Sequence, residues 1–344
     1  MLGEWLKGGG PDSDIVVSTR VRFARNIKGY PFTLKATEPQ RAEVLALCEE
    51  AIQKIHLQRS VVTLELDKMA EVKRDVLVER HLISRELAGG EGPRGVTFGR
   101  GEMLSIMINE EDHLRLQWIK SGFDVDRAYQ ALCKVDRALE KVVPYAVSDN
   151  YGYLTACPTN VGTGMRISVM VHLPALTMKD HVDKVFKAAK RMNHAVRGLY
   201  GEGTRAFGDM YQISNQATLG RSEESILESV KAIVPRILET ERQMRGQLYS
   251  EDRSFLEDRV LRSLALLRNA RRLNVQEMMS HLSMLRLGVD LGLITDVPMQ
   301  TVNEMFILGQ PSHLQEREGR LMNATERDTT RADLVRSKLA AHSN

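Results

Sequence analysis

The chain has 344 residues, of which 42% are hydrophobic and 27% are charged. This composition supports sizeable apolar cores and excludes a chain that is disordered throughout, and the length allows two domains. The formal net charge is only +3, so the bulk charge gives no reason to expect direct binding to nucleic acid or to an anionic membrane.

The cysteines point to a reducing compartment. The chain has three cysteines, Cys48, Cys133 and Cys157. Their number is odd and they lack the spacing of metal ligands, so we predict neither a disulfide framework nor a metal ion bound by the protein. The cytoplasm is therefore the expected location. The sequence has no run of about 18 apolar residues, and its first five residues lack the basic flank and apolar core of a secretory signal.

Strand and helix patterns alternate irregularly up to about residue 250. β-rich stretches predict strands at 15–22, 61–66, 96–98, 104–108, 166–173 and 210–213. Helical spacing of apolar residues predicts helices at 38–57, 75–87, 124–143, 179–197 and 222–247. Because most strands carry polar residues on one face, we predict an α+β fold in which an antiparallel sheet is flanked by helices.

Beyond residue 250 the strand patterns stop and only helical patterns remain. Helices are predicted at 255–267, 275–285, 302–308 and 327–339. We therefore predict a boundary near residue 250, between a first domain at 1–250 and an all-helical C-terminal domain at 251–344. The apolar stripes of this short helical region exceed what it would bury alone, which predicts self-association as a homodimer.

An acidic segment, NEEDHLR at 109–115, follows the predicted strand at 104–108. Three consecutive carboxylates at a strand end repel one another and need cationic partners. Taken alone, the segment fits a solvated acidic turn. The functional alternative places Glu111 on a cationic substrate and Arg115 on a phosphate.

A glycine-containing segment, CPTNVGTGMR at 157–166, precedes a predicted strand. It lacks the lysine and hydroxyl residue of a phosphate loop, and no helix follows it, so neither a Walker nor a Rossmann site is supported. It is either a plain loop or a bare turn that approaches an anion, with Arg166 at its exit. Cys157 is either a small buried hydrophobe or, beside arginines, a favoured thiolate.

Two further segments combine arginines with a defined geometry. Arg20 and Arg22 alternate on a strand and so share a face, where they either grip a polyphosphate or protect a sheet edge. The segment RGLYGE at 197–202 brings Arg197 and Glu202 together between glycines. It suits a loop that closes over a substrate, and its alternative is a simple surface turn.

Together and in this order, these segments and YQISN at 211–215 resemble the phosphagen kinases, the creatine and arginine kinase family. The resemblance covers roughly residues 14–250 and implies a phosphagen-kinase-like catalytic domain that uses ATP with Mg²⁺. It implies a carboxylate clamp on a guanidinium, formed by Glu111 and Glu202, with Cys157 beside it. It also implies nucleotide-phosphate contacts from five arginines: Arg20, Arg22, Arg115, Arg166 and Arg197.

The C-terminal region makes the resemblance narrower. The first motif begins at residue 18, so the family's helical N-terminal domain has no counterpart, and we expect a more open site. With the added helical region, the sequence resembles the bacterial protein-arginine kinases of the McsB type. Arg327, Asp328 and Arg331 match that subfamily's phosphoarginine-holding segment, and the two arginines, four apart, share a helix face. A solvated charged helix is the alternative.

The resemblance implies a protein-arginine kinase that transfers the ATP γ-phosphoryl group to arginine residues of proteins, in stress response and in marking proteins for proteolysis. The implied partners are protein substrates with exposed arginines, among them a transcription repressor, together with an activator protein and the Clp protease machinery. Two alternatives remain open. One is a phosphagen-type kinase that acts on free arginine or another small guanidino compound, and the other is a non-catalytic regulator that binds phosphoarginine.

Overall fold

A computed structural model describes residues 3–55, 57, 60–198 and 206–342. Within these residues, an eight-stranded sheet has the order β2-β3-β4-β5-β1-β8-β10-β9, and a separate hairpin pairs β6 with β7. The strands are β1 (Val16–Arg25), β2 (Val61–Glu65), β3 (Gly95–Gly99), β4 (Leu104–Ile108), β5 (Leu114–Ser121), β6 (Val147–Ser148), β7 (Gly152–Tyr153), β8 (Met165–His172), β9 (His194–Gly198) and β10 (Met210–Asn215).

Helices surround the sheet and make up the described part of the chain beyond residue 252. They are α1 (Glu38–Lys54), α2 (Glu71–Glu79), α3 (Arg85–Gly89), α4 (Val125–Glu140), α5 (Pro174–Met178), α6 (Val182–Arg191), α7 (Glu223–Glu251), α8 (Arg253–Asn269), α9 (Val275–Asp290), α10 (Met299–Leu308), α11 (Pro311–Glu318) and α12 (Ala324–Ala340). Every neighbouring strand pair of the large sheet is antiparallel. The predicted α+β class is confirmed.

The two faces of the sheet differ because side chains alternate along each strand. On one face, Val21 and Phe23 of β1 and Ile167 and Val169 of β8 are buried in an apolar core with residues of α1, α4 and α7. On the other face, the same strands carry arginines and serines. The predicted segregation of polar residues to one face therefore places the candidate site on the second face.

The C-terminal helices pack on the second face through a core of their own. Trp5, Val17, Ile119 and Met210 from the N-terminal part and the sheet join apolar residues of α8, α9, α10 and α12 in one cluster. The chain turns between α7 and α8 at Asp252. A domain boundary near residue 250 stays a prediction, because the sequence on both sides of it contributes to this core.

Two predicted helices are wrong in their extent. The segment 75–87 forms two helices, α2 and α3, separated by a bend in which His81 has φ of +59°. The segment 179–197 ends its helix at Arg191, and Asn193, with φ of +58°, turns the chain into β9. Pairing of β9 with β10 outweighs the helical pattern of this sequence, a tertiary effect that local propensity does not contain.

Candidate active site

Arginines of three neighbouring strands lie on the second face of the sheet. Arg22 of β1 is opposite Arg166 of β8, and Arg20 of β1 is opposite Ser168. Arg115 of β5 is opposite Ala24, two positions beyond Arg22 on the same face. We call Arg20, Arg22, Arg115 and Arg166 the arginine face. The predicted shared orientation of Arg20 and Arg22 is confirmed by this register.

Mostly neutral groups hold the arginine face in place. Arg20 donates from Nη2 to Gln212 Oε1 at 2.8 Å and from Nε to Ser168 Oγ at 3.3 Å. Arg166 donates from Nη2 to Ser214 Oγ at 3.2 Å. Because hydroxyl and amide oxygens do not cancel the charge, positive potential remains for a ligand.

Among the described residues, one ion pair, between Arg115 and Glu110, balances part of the charge of the arginine face. Burial, followed by repulsion from Arg115 and Arg166, lowers the pKa of Arg20 to about 9. Burial and its arginine neighbours place the pKa of Arg22 well below its usual value. The Nε atoms of Arg22 and Arg166 are buried without a hydrogen-bond partner among the described residues. Buried donors left without acceptors, in a crowd of like charges, are typical of a site built for a polyanion.

A cleft of about 1330 Å³ opens over the arginine face, and Arg20, Arg22 and Arg115 line it. Two of its walls are formed by α2 and α3 and by the C-terminal region. Gln276 at the start of α9 and Ser312 at the start of α11 both line the cleft. The C-terminal region therefore completes a cavity whose cationic floor belongs to the sheet.

One end of the cleft is apolar. Its lining includes Trp5, Ile119, Met170 and Phe207, and the His81 ring meets the Trp5 ring edge-on at a centroid distance of 5.5 Å. Burial, with a smaller contribution from Arg20, lowers the pKa of His81 to about 3, which keeps the ring neutral. Sequence reasoning missed His81, because its position in the cleft depends on the bend between α2 and α3.

In the acidic turn before β5, Glu110 and Glu111 have different surroundings. Glu110 forms an ion pair with Arg115, and its side chain is 3% exposed. Burial raises the pKa of Glu110, but the charge and hydrogen bond of Arg115 outweigh it and hold that pKa below the usual value. Glu111 is half-buried and makes no side-chain hydrogen bond or ion pair with any described residue. Within the described residues, the side chain of Glu111 is therefore unpaired, in contrast to that of Glu110.

The residues at 156–164, which we call the cysteine segment, lie at the same end of the sheet as the acidic turn, because β5 and β8 both begin where β1 ends. Cys157 is half-buried, with Sγ 3.0 Å from Thr159 Oγ1. The backbone N–H of Ala156 donates to Asp112 Oδ1 at 2.7 Å. This hydrogen bond therefore joins the residue that follows Glu111 to the residue that precedes Cys157.

The remaining predicted residues of the catalytic site are less completely placed. Arg197 is exposed on β9, opposite Gln212 of β10. It lies close enough to Arg166 to lower the pKa of that guanidinium, after the larger effect of burial. Glu202 lies outside the described residues, so the predicted clamp of two carboxylates is described only for its Glu111 half.

The predicted phosphoarginine segment lies on α12. Arg331 is 2% exposed and donates to the carbonyl oxygens of Gly309 at 2.7 Å and Leu273 at 2.8 Å. Its Nη1 also donates to Asp328 Oδ1 at 2.8 Å, and Arg327 donates to the Met322 carbonyl at 2.7 Å. These bonds tie α12 to neighbouring turns. Binding of phosphoarginine by this segment stays a prediction.

In the described ranges, no His, Cys, Asp or Glu side chains form a group of three that could hold a metal ion. None of the helices described is both long enough and apolar enough to cross a bilayer.

Two family models match consecutive parts of the sequence. Residues 43–244 match the C-terminal catalytic domain of the ATP:guanido phosphotransferases. Residues 253–344 match the C-terminal domain of the protein-arginine kinase McsB.

Two relatives are similar along nearly the whole chain. The protein-arginine kinase of Symbiobacterium thermophilum is 42% identical over 340 residues, which cover 98% of this chain and 96% of the relative. The protein-arginine kinase of Moorella thermoacetica is 44% identical over 340 residues, which cover 98% and 97%.

Two solved kinase structures each resemble 70% of the chain. A lombricine kinase superposes with a TM-score of 0.59 at 28% identity, covering 70% of each chain. The duplicated taurocyamine kinase from Schistosoma mansoni, with bound transition-state-analogue components, gives a TM-score of 0.62 at 27% identity. That match covers 70% of this chain and 34% of the taurocyamine kinase.

Proposed function

Because the chain belongs to the protein-arginine kinase family of ATP:guanido phosphotransferases, we propose that it phosphorylates arginine side chains of proteins at the end of the arginine face where Glu111 lies. The observation that carries this placement is one juxtaposition. Arg22 and Arg166, whose buried Nε donors are unsatisfied, lie on strands that reach the end of the sheet where the acidic turn carries Glu111, a glutamate with no partner among the described residues. The arginines fit a polyphosphate, and the glutamate fits a guanidinium.

ATP is the phosphoryl donor, and we place its phosphates on the arginine face. Arg20, Arg22 and Arg115 line the cleft, and Arg166 follows on the next strand. Arg197 would reach the same phosphates from β9. Mg²⁺ would arrive as part of the substrate, coordinated by phosphate oxygens. The apolar end of the cleft, with its neutral His81 ring, suits the nucleobase.

The acceptor step must manage a strongly basic nucleophile. The pKa of arginine is about 12.5–13.8 and that of glutamate about 4.3, so complete proton removal by glutamate before attack would cost roughly 11–13 kcal/mol. We propose that Glu111, with Glu202, orients the guanidinium and draws its charge away from the attacking nitrogen. Cys157 would lie beside the same guanidinium.

In the reaction, a guanidinium nitrogen forms a bond to the γ-phosphorus while the bond from that phosphorus to the β,γ-bridging oxygen breaks. The electron pair of the broken bond leaves with ADP. The nitrogen loses its proton as the new bond forms, first to the neighbouring carboxylate and then to solvent. A loose transition state of this kind depends mainly on alignment and charge neutralisation, which the arginine face and Mg²⁺ supply.

Finer parts of the proposal rest on the family resemblance. We propose that Arg327, Asp328 and Arg331 hold phosphoarginine and that residues 251–344 support a homodimer. We also propose a cytoplasmic role in stress response and proteolysis, with a transcription repressor as substrate and with an activator protein and Clp protease as partners.

A direct experiment uses mass spectrometry at non-acidic pH, because N–P bonds are labile in acid. The enzyme, MgATP and an arginine-rich protein are incubated, with free arginine as the acceptor in a parallel reaction. We expect phosphoarginine on the protein and little transfer to free arginine. Preferred transfer to free arginine would favour a phosphagen-type kinase, and binding of phosphoarginine without ATP consumption would favour a non-catalytic regulator.

A further inference from the structure

Asp112 lies at a junction of three segments, although it is not part of the arginine face and does not line the cleft. Its side chain is buried, and the residue is 2% exposed. Oδ1 accepts one hydrogen bond from the Ala156 backbone N–H at 2.7 Å and another from Asn26 Nδ2 at 2.6 Å. The carboxylate thus connects the acidic turn, the cysteine segment and the chain just after β1.

Asn26 completes the junction from the other side. Its Nδ2 also donates to the Leu154 carbonyl at 3.0 Å, and its Oδ1 accepts from the His113 backbone N–H at 3.0 Å. The two residues that follow Glu111 are therefore both bonded to one amide side chain. We call Asn26 and Asp112, with the four hydrogen bonds they make, the amide-carboxylate junction.

The His113 ring supports the same turn. Its Nδ1 accepts from the Ile27 backbone N–H at 3.0 Å, so its Nε2 carries the proton and donates to the Pro31 carbonyl at 2.9 Å. Burial lowers the pKa of His113, which agrees with a neutral ring. The turn that presents Glu111 is therefore fixed by bonds to two consecutive residues after β1.

We propose that Asp112 is a positioning residue, which fixes Glu111 against the cysteine segment and so aligns the acceptor guanidinium for attack. This inference rests on the proposed function, because it assumes that Glu111 meets the acceptor. Phosphoryl transfer depends on alignment, and a displacement of about 1 Å can cost about 100-fold in rate. A bond that joins the neighbours of Glu111 and Cys157 is placed to prevent such a displacement.

The geometry makes this role one of position rather than charge. A single oxygen of Asp112 accepts both bonds, and an amide oxygen at the same place would also accept both, as somewhat weaker bonds with the same geometry. The second oxygen accepts no hydrogen bond from the described residues. Burial, against the hydrogen bonds from Ala156 and Asn26, raises the pKa of Asp112 to about 6, so the site disfavours a negative charge.

The test compares Asp112→Asn with Asp112→Ala in the full-length enzyme. Steady-state kcat and KM are measured for MgATP and for an arginine-rich protein. We expect the alanine variant to lose about 10- to 100-fold in kcat, with KM for ATP nearly unchanged. We expect the asparagine variant to keep kcat within about threefold, because its Oδ1 preserves both bonds.

A stability control separates misalignment from general weakening. Thr19 lies on β1 with its side chain on the opposite face, and its buried hydroxyl donates to the Gly122 carbonyl at 2.7 Å. Thr19→Val removes one buried hydrogen bond away from the junction and should lower Tm without changing kcat. Should Asp112→Ala not fold, Asn26→Asp serves instead. It places two acidic groups in contact, and adding Asp112→Asn should restore part of the lost kcat.

Three results would overturn the inference. An asparagine variant as impaired as the alanine variant would show that the charge is required. An alanine variant with the wild-type kcat would show that the junction does not align the acceptor. Absence of phosphoryl transfer to protein by the unmodified enzyme would overturn the proposed function and this inference with it.

Discussion

Arg22 differs from the other members of the arginine face because it makes no hydrogen bond to any described residue. Arg20, Arg115 and Arg166 each donate to a side chain of the sheet or the acidic turn. Burial, followed by the charges of Arg20, Arg115 and Arg166, lowers the pKa of Arg22. Arg22 therefore has the most to gain from a bound phosphate.

Replacing Arg22 should weaken ATP binding more than it weakens the fold. A hydrogen bond to a charged group is worth about 1.5–3 kcal/mol, so we expect Arg22→Gln to lower kcat/KM for ATP by about 10- to 100-fold. The variant should be at least as stable as the wild type, because a repulsive charge is removed. The matched control is Arg127→Gln, since that side chain is 78% exposed on α4. An unchanged kcat/KM for Arg22→Gln would contradict the account.

Asp112 gives a pH dependence whose sign is defined. Its raised pKa means that the folded chain binds this proton more tightly than the unfolded chain does. The charged form therefore costs stability above about pH 6, and that cost is relieved as the pH falls towards the ordinary value of 3.8. The difference between 3.8 and about 6 corresponds to at most about 3 kcal/mol.

Asp112→Asn removes the charge and keeps the acceptor oxygen. By urea unfolding, the variant should be more stable than the wild type at about pH 7.5, and its advantage should shrink at about pH 4.5. Other carboxylates titrate in both proteins, so the difference between them isolates Asp112. A constant difference across this range would contradict the assignment.

At the scale of elements, Glu79 joins α2 to α11. Its carboxylate accepts from the backbone N–H groups of Ser312 and His313 at 2.8 and 2.9 Å, and Oε2 lies 2.6 Å from His313 Nδ1. A carboxylate at a helix N-terminus satisfies free N–H groups and interacts favourably with the helix dipole. Because Glu79 and Ser312 both line the cleft, this contact connects its two walls.

Glu79→Gln should loosen α11 more than the rest of the molecule. We expect a loss of about 1–2 kcal/mol, since one cap of this kind is worth that much. Hydrogen exchange of Pro311–Glu318 should become faster, while exchange in the sheet stays unchanged. Glu71→Gln is the control, because Glu71 lies on the same helix and lines the same cleft without bonding to α11. Equal protection of α11 in both variants would count against the contact.

Sequence reasoning succeeded for elements whose pattern is local. The strands at 104–108 and 166–173 and the face shared by Arg20 and Arg22 follow from side-chain alternation, and the structure contains them. It missed β5, although the NEEDHLR segment at 109–115 ends on the first two residues of that strand. The helix predicted at 179–197 was wrong in its last part, because β9 forms only by pairing with β10. No local pattern contains that pairing.

The candidate site shows the same division between local and long-range information. The sequence predicted that the acidic turn would need cationic partners, and Glu110 has one in Arg115. It offered no way to tell which glutamate is held internally, because that depends on where the turn lies relative to β5. The amide-carboxylate junction was also not predictable, because Asn26 lies 86 positions from Asp112 in the chain.

At the scale of the whole molecule, the two halves of the chain share a cleft and a core. Trp5 from the start of the chain packs among residues of α8, α9 and α10, whereas Trp118 packs against the core on the other side of the sheet. The C-terminal region also supplies a wall of the cleft. We therefore expect it to unfold together with the sheet.

The two tryptophans allow a direct test, since the chain has only these two. Trp118→Phe leaves Trp5 as the fluorescent reporter of the core shared with the C-terminal helices. Trp5→Phe leaves Trp118 as the reporter of the core on the other side of the sheet. Urea unfolding should give coincident midpoints in the two variants after correction for their stabilities. Well-separated midpoints would show that residues 1–250 and 251–344 unfold independently.

The central claim is that Glu111 orients a protein arginine for phosphoryl transfer beside the arginine face. Its most direct test is single-turnover transfer from MgATP to an arginine-rich protein, measured for the wild type and for Glu111→Gln with ATP affinity determined in parallel. We predict that the variant transfers about 100-fold more slowly or worse, while its ATP affinity stays within about twofold. Transfer at the wild-type rate by Glu111→Gln would contradict the account.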